Sequence, residues 1–331
     1  MNTPGQADRV LRAAVVYNPI KVDLEKLQTS VAATASDAGW EKSLWFATSR
    51  DDPGHGAARL ALEQGASVVL VAGGDGTVRA VAETLRGTGV ALSIVPAGTG
   101  NLLARNLQLP LSSLDESVAI AFAGVDKAID VGVASVATES GDTAEHVFLV
   151  MAGIGLDARM IANTRADLKK RVGWLAYVDA GARVIPTAKP FRIRYSVEGR
   201  TDRPAQVSTI LVANCGLLPG NVQFLPEART DDGILDIAVL QPKGFLGWLT
   251  IWRRVTWENG VLRRSAAGRR SIDRTESSNE RVMTTLRGTD IRIVLEQPQE
   301  FQMDGDEFAA VRAASFSADP GALIVRLPPT A

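Results

Sequence analysis

The segment Ser67-Val-Val-Leu-Val-Ala-Gly-Gly-Asp-Gly-Thr77 limits the folds open to this chain more than any other stretch. Val68 to Val71 form an uninterrupted apolar run, which predicts a strand buried on both faces of a parallel sheet. Gly73, Gly74 and Gly76 follow at once. Without Cβ atoms the backbone can turn sharply there, and its N–H groups can approach a polyphosphate closely. Helical spacing of apolar residues from Val78 to Arg86 places Thr77 near a helix start, where unpaired N–H groups and the positive dipole end favour an anion. Strand, glycine turn and helix make a phosphate site in outline. Asp75 is a poor choice for touching phosphate directly; it works either through a bound Mg²⁺ or through a hydrogen bond that fixes the loop. Asp-Gly is also an ordinary turn pair, so these five residues alone leave a plain tight connection open.

A second element repeats the design. Val90-Ala-Leu-Ser-Ile-Val-Pro-Ala-Gly-Thr-Gly-Asn101 is a strand with Gly98 and Gly100 around Thr99, followed by the helical run Leu102 to Leu107. Upstream, Ala13-Ala-Val-Val-Tyr-Asn-Pro19 is a strand ending in Asn18, and Leu44-Trp-Phe-Ala-Thr48 is one ending in a hydroxyl. Loops at the carboxyl ends of successive parallel strands face one crevice.

The chain has 331 residues, more than one core usually serves, so two domains are the default. Up to about Ile129-Asp-Val-Gly132, strands alternate with helices over 24–38, 56–64, 77–85 and 114–123, which predicts an N-terminal three-layer α/β domain with a parallel sheet. Beyond it the pattern is strand-rich: 146–153, 191–197, 207–214, 234–239, 291–295 and 322–327. Alternation such as Phe191-Arg-Ile-Arg-Tyr-Ser-Val197 fits an antiparallel sheet with one wet face, hence a C-terminal β-sandwich. The division expected is 1–130 for the α/β domain, to which 318–331 returns, and 131–317 for the β-sandwich. Lys plus Arg number 36 against 37 Asp plus Glu, so no global field draws the chain to nucleic acid. The single cysteine, Cys215, forms no internal disulfide, and no apolar stretch approaches 20 residues, so a cytosolic protein is expected.

Gly73-Gly-Asp-Gly-Thr77, Pro96-Ala-Gly-Thr-Gly-Asn101 and Met303-Asp-Gly-Asp306, in that order, resemble the signatures of the diacylglycerol kinase catalytic family, which includes soluble bacterial lipid kinases and the sphingosine and ceramide kinases. The resemblance runs from Val15 to about Leu327. It implies ATP and Mg²⁺ in a crevice between two domains, a lipid hydroxyl as acceptor, an anionic membrane surface as transient partner at the inner face of the cell membrane, and a homodimer. By the same resemblance Asn18, Thr48, Gly73, Gly74, Asp75, Gly76, Thr77, Gly98, Thr99 and Asn101 belong to the nucleotide site. Asp75 and Asp306 would serve the metal, and Asp304 would take the hydroxyl proton. A positioned carboxylate is adequate for this, since phosphoryl transfer asks mainly for alignment and charge neutralisation. His cannot readily compete, because the chain has only His55 and His146 and neither lies in a motif.

Three departures from the family pattern stand out. Asn101-Leu102 replaces the usual Asn-Asp, which removes a carboxylate often linked to a metal. Asp304-Gly305-Asp306 replaces Asp-Gly-Glu and shortens the second acid. Ile20-Lys-Val-Asp23 follows Asn18-Pro19 in place of a small residue and glycine, and Lys21 reads either as a phosphate contact or, the plainer reading, as a solvated surface lysine.

Two segments bear on a lipid. Lys243 to Trp257 sets Phe245, Trp248, Trp252 and Trp257 beside Arg253 and Arg254, which suits either a bilayer headgroup layer or the covering of a sandwich core. Asp157, in Ala152-Gly-Ile-Gly-Leu-Asp-Ala158, either bonds the lipid's polar end, as the resemblance to sphingosine kinases suggests, or caps a helix. The rival enzyme reading is an NAD kinase, which shares the first glycine loop but not the second. A non-catalytic lipid- or nucleotide-binding regulator is the rival from another class.

Overall fold

The computed structural model describes residues 11–155, 190–218, 222–241 and 283–329. The chain falls into two compact units: one reaches Ile129 and takes in the stretch from Gly321, and the other runs from Asp130 to Pro320.

In the first unit the elements are β1 (Arg12–Tyr17), α1 (Leu24–Asp37), β2 (Glu41–Ala47), α2 (His55–Glu63), β3 (Val68–Gly73), α3 (Asp75–Leu85), β4 (Ala91–Pro96), α4 (Leu102–Asn106) and α5 (Leu114–Ala123). Strand order is β2-β1-β3-β4, all parallel. The apolar run 68–71 does become a central strand with both faces covered, and each of its four side chains has zero exposure. Ala13, Val15, Val68 and Leu70 pack with Leu27 and Val31 of α1 and with Val118 and Phe122 of α5. By the two-residue period of a strand, Ala14, Val16, Val69 and Val71 point to the opposite face, where α2 and α3 pack on each other and on the sheet. The helices begin where short polar side chains can cap them: Asp23 accepts from Lys26 N–H and Ser113 from Glu116 N–H.

The second unit is antiparallel. Its strands are β5 (Val125–Thr138), β6 (Thr143–Phe148), β7 (Met151–Ile154), β8 (Phe191–Val197), β9 (Arg203–Val207), β10 (Thr209–Ala213), β11 (Leu217–Leu218), β12 (Val222–Gln223), β13 (Leu235–Leu240), β14 (Met283–Gly288), β15 (Asp290–Met303) and β16 (Asp306–Leu327). The far end of β16 belongs to the first unit, where Val325 pairs with Leu92 of β4 in parallel. Arg326 fixes that end by bonding Asp126 and the Ala121 carbonyl and lying over the Trp40 ring.

β15 makes the sandwich possible because it serves two layers. Its first half pairs with β8 through Ile291 to Leu295, and its second half pairs with β7 through Phe301 to Met303. Its ladder with β16 shifts register between Val294, Gln299 and Phe301, which is how a strand turns a corner between layers. Between the layers, Ile193, Ile291 and Ile293 meet Ile210, Val212 and Ile237 around Phe148, Phe301 and Phe316. Each ring contributes about 1.5–3 kcal/mol by its burial. The expectation of one wet face holds for β8, whose residues alternate in exposure. It fails for β10 and β13, which are buried on both faces. The reason is a second apolar layer, in which Leu218, Phe224, Leu225 and Ala228 cover Leu211, Ala213 and Ala238.

The single strand expected over 146–153 is two strands, β6 and β7, broken at Leu149 and Val150. The break has a polar cause that lies 154 residues away in sequence, at Asp304.

Candidate functional site

Asn18, Thr48, Gly73 and Pro96 all stand at or just beyond the carboxyl ends of the four parallel strands, so the sheet sets their loops along one edge. In the order β2-β1-β3-β4 the chain leaves β1 to one side for β2 and then returns past it to β3. The topological switch point is therefore between β1 and β3, the place where open α/β sheets bind ligands.

The two glycine loops are built against each other. A Cβ on Gly98 would lie 2.8 Å from the Gly74 Cα, and one on Gly100 would lie 2.7 Å from Asp75 Oδ2. Only glycine lets these backbones approach so closely. Gly73 accepts from Ala97 N–H at 2.9 Å, tying the loops at their base. Asn101, at φ 48°, closes the second loop on itself: its Oδ1 accepts from Gly98 N–H and its Nδ2 donates to the Gly98 carbonyl, both at 2.9 Å.

Asp75 ties the loops at the top. One carboxylate oxygen accepts from Asn101 N–H at 2.9 Å, and the other accepts from Leu102 N–H at the start of α4. The loop-fixing hydrogen bond, one of the two roles the sequence leaves open to Asp75, is present. Burial raises its pKa, against the opposing pull of the Leu102 and Asn101 N–H groups and the nearby charge of Lys21. α3 starts at Asp75 with Gly74 as its N-cap and no capping side chain, so the positive end of the helix is left to whatever binds there.

Around this cradle, Asn18 Oδ1 accepts from Ile20 N–H, and its carbonyl accepts from Lys21 and Val22 N–H. That turn carries the Lys21 ammonium to Gly74, into the space a side chain at residue 74 would occupy, 2.5 Å from its Cβ position. Lys21 is exposed, as the plainer reading expects, and its ammonium nevertheless lies beside the first glycine loop. Thr77 is buried against Gly73, Thr48 is buried beside the end of β1, and Thr99 is exposed at the loop tip.

In the second unit, Asp304 and Gly305 form the two-residue turn between β15 and β16, both at positive φ, 50° and 90°. This is the turn geometry that an Asp-Gly pair favours in hairpins. The Asp304 side chain points inward and is only 4% exposed. Its Oδ2 accepts from Leu149 N–H at 2.8 Å, and its Oδ1 accepts from Val150 N–H at 2.8 Å and Met151 N–H at 3.0 Å. Leu149 and Val150 form the break between β6 and β7 and Met151 opens β7, and the carboxylate supplies the first two with what a neighbouring strand would have given. Cys215 lies alongside, its thiol donating to the Leu149 carbonyl; burial, with the Asp304 charge adding to it, pushes its pKa far up. Asp306 opens β16 and is partly exposed.

Among the described residues no group of three or more His, Cys, Asp or Glu side chains is arranged to hold a metal ion. No helix among them is long and apolar enough to cross a membrane. Asp157 and the Trp and Arg segment 243–257 lie outside the described residues.

The family model for the diacylglycerol kinase catalytic domain matches residues 12–134, and that for the YegS C-terminal NAD kinase beta sandwich-like domain matches 150–258. A Pseudomonas aeruginosa protein named as a probable lipid kinase, YegS-like, is 30% identical over 92% of this chain and 90% of its own length. A Bacillus subtilis diacylglycerol kinase is 26% identical over 70% of this chain and 74% of that protein. A Synechocystis protein is 26% identical, and the chain spans about half its length (51%). A crystal structure of a diacylglycerol kinase from Bacillus anthracis shares the fold, with a TM-score of 0.70 at 22% identity over 96% of this chain and 97% of the other. On the strength of the Pseudomonas relative and the two matched domains, the chain belongs to the diacylglycerol kinase catalytic family of lipid kinases.

Proposed function

We propose that this chain transfers the γ-phosphoryl group of ATP to a hydroxyl of diacylglycerol or a closely related lipid at the cytosolic face of a membrane. The observation that carries the proposal is the double glycine cradle at the switch point of the parallel sheet. Two backbones there approach to within a side chain's thickness around an uncapped helix start and a lysine ammonium. A polyphosphate satisfies all of these groups at once, because each offers positive potential or an N–H donor.

Mg²⁺ would find one carboxylate at this cradle, Asp75, and that carboxylate already accepts two N–H bonds. The remaining ligands would be phosphate oxygens and water, a common arrangement for Mg²⁺ on nucleotides, where it neutralises developing charge. Within the chain, Asp75 holds the second loop in register with the first, Gly74 and Gly98 let the phosphates approach, and Thr99 offers a hydroxyl at the loop tip.

Asp304 is proposed as the acid on the acceptor side. Three backbone donors hold its carboxylate in one orientation, which supports a role needing fixed geometry. Asp306 is proposed as an auxiliary acid near the metal and Asp157 as a contact to the lipid headgroup.

The test is transfer of radiolabelled phosphate from ATP into a total lipid extract, with chromatography of the product and NAD offered in a parallel reaction. A labelled lipid supports the proposal, and its chromatographic identity names the acceptor. Label in NAD alone would replace it with the nucleotide kinase reading. No label in either would favour a binding protein without turnover.

A further inference from the structure

We propose that Lys21 reads the phosphate chain of the nucleotide, making the site select di- and triphosphates over monophosphates; this rests on the nucleotide reading of the cradle given above. At this position the chain departs from the family's sequence pattern, so the inference concerns these residues and not the common machinery.

The turn after β1 is closed from within. Asn18 takes three N–H groups, those of Ile20, Lys21 and Val22, through its side chain and carbonyl. Ile20 is turned out to 94% exposure, and the next side chain reaches back across the edge of the sheet to Gly74. That path crosses the switch point between β1 and β3, so the ammonium stands where the fold leads a ligand.

Among the described residues no carboxylate lies within salt-bridge distance of Lys21. Asp23, two residues on, is bonded to Lys26 at 3.1 Å and caps α1. Asp75 feels the Lys21 charge, but its oxygens accept from Asn101 and Leu102 N–H. A flexible ammonium at the positive end of an uncapped helix is repelled by the dipole unless an anion joins them. Gly74 therefore has two uses: it admits the phosphate, and it leaves room for the lysine that neutralises it.

The experiment uses the full chain with Mg²⁺ and measures binding of ADP and AMP by calorimetry to wild type, Lys21→Met and Lys21→Arg. Because Lys21 is exposed, both variants should melt with wild type, which a thermal scan checks. Wild type should prefer ADP to AMP. Lys21→Met should lose about 10- to 100-fold in ADP affinity, the size of one charge-assisted contact, with AMP unchanged. Lys21→Arg should keep most of the ADP affinity. As a second readout, ADP but not AMP should shield the Lys21 amine from acetic anhydride, read site by site by mass spectrometry. Unchanged ADP affinity in Lys21→Met, or equal losses for ADP and AMP, would overturn the role of Lys21 and leave the nucleotide reading standing. Wild type that binds neither nucleotide would overturn both.

Discussion

Asp75 and Asp304 come from two different units of this molecule, and each binds backbone N–H groups that would otherwise be orphaned. Asp75 does so between two glycine loops, where the partners are the last residue of the second loop and the first of α4, and a lysine ammonium stands nearby. Asp304 does so inside a sandwich, where the partners are the two residues between β6 and β7 and the first residue of β7. The comparison teaches that an acid in a motif can be architectural in its contacts, whatever chemistry is proposed for it. Removing either acid disturbs a backbone before it disturbs a reaction, and the two should differ in which backbone fails.

The largest effect is expected at Asp304. Asp304→Asn should lower turnover on the order of 10²- to 10⁴-fold while leaving nucleotide affinity nearly intact. An amide can keep Oδ1 toward Val150 and Met151 but must set its NH₂ against Leu149 N–H, so unfolding should also become easier by about 1–3 kcal/mol. Kinetics and chemical denaturation on the same samples check both, and near-normal turnover would remove Asp304 from the chemistry.

Asp75→Ala should act in the opposite sense, through binding. The Asn101 and Leu102 N–H groups lose their acceptor, the two loops separate, and affinity for a Mg²⁺-nucleotide analogue should drop roughly 10-fold or more. Unchanged affinity by calorimetry would show that the clamp is dispensable.

Backbone space gives the next contrast. Gly98→Ala presses a Cβ onto the Gly74 Cα and should cost about 1–3 kcal/mol together with nucleotide binding. Gly305→Ala meets no atom within 4 Å but strains a residue at φ 90°, so it should cost roughly 1–2 kcal/mol with nucleotide affinity untouched. Melting curves with and without nucleotide separate the two.

Acid sharpens the comparison further. Burial raises the pKa of Asp75, so the folded chain takes up this proton at a higher pH than the unfolded chain does. Its contribution to stability is thus present below the unfolded pKa and lost as pH rises through the folded one, and mild acid does not unfold the protein through Asp75. Protonation instead sets an O–H against an N–H donor and loosens the clamp. Nucleotide affinity should therefore fall just above the ordinary aspartate range while far-ultraviolet circular dichroism stays constant, and Asp75→Asn should abolish that step. The smallest effect is expected at Cys215. Buried, and with its pKa pushed up beside Asp304, its thiol should stay unreactive toward a disulfide reagent at mildly alkaline pH until the chain unfolds.

Much of the first unit was legible because local rules agree there. An apolar run, a glycine turn and a helical period give β3, Gly74 and α3 in order, and the helix over 114–123 is found at those residues. The second unit was less legible for reasons seen in particular residues. Val147 to Val150 read as one strand because nothing nearby in sequence shows that a distant carboxylate will take the N–H groups of Leu149 and Val150. Likewise the apolar runs of β10 and β13 fit burial on both faces, but nothing near them in sequence shows that Leu218, Phe224 and Leu225 supply the second cover.

At the cradle, the spacing of the glycines predicts loops that let backbone come close. It did not say what Asp75 bonds, nor that Lys21 reaches Gly74, because both depend on how close the loops come. The sequence by itself determined the parallel α/β layer and the antiparallel sandwich, since periodicity and glycine placement act over a few residues at a time, and three short motifs carried the resemblance to the family. Only the tertiary structure decided what Asp75, Asp304 and Lys21 touch, because hydrogen bonds and charges are settled by distances of about 3 Å between residues far apart along the chain.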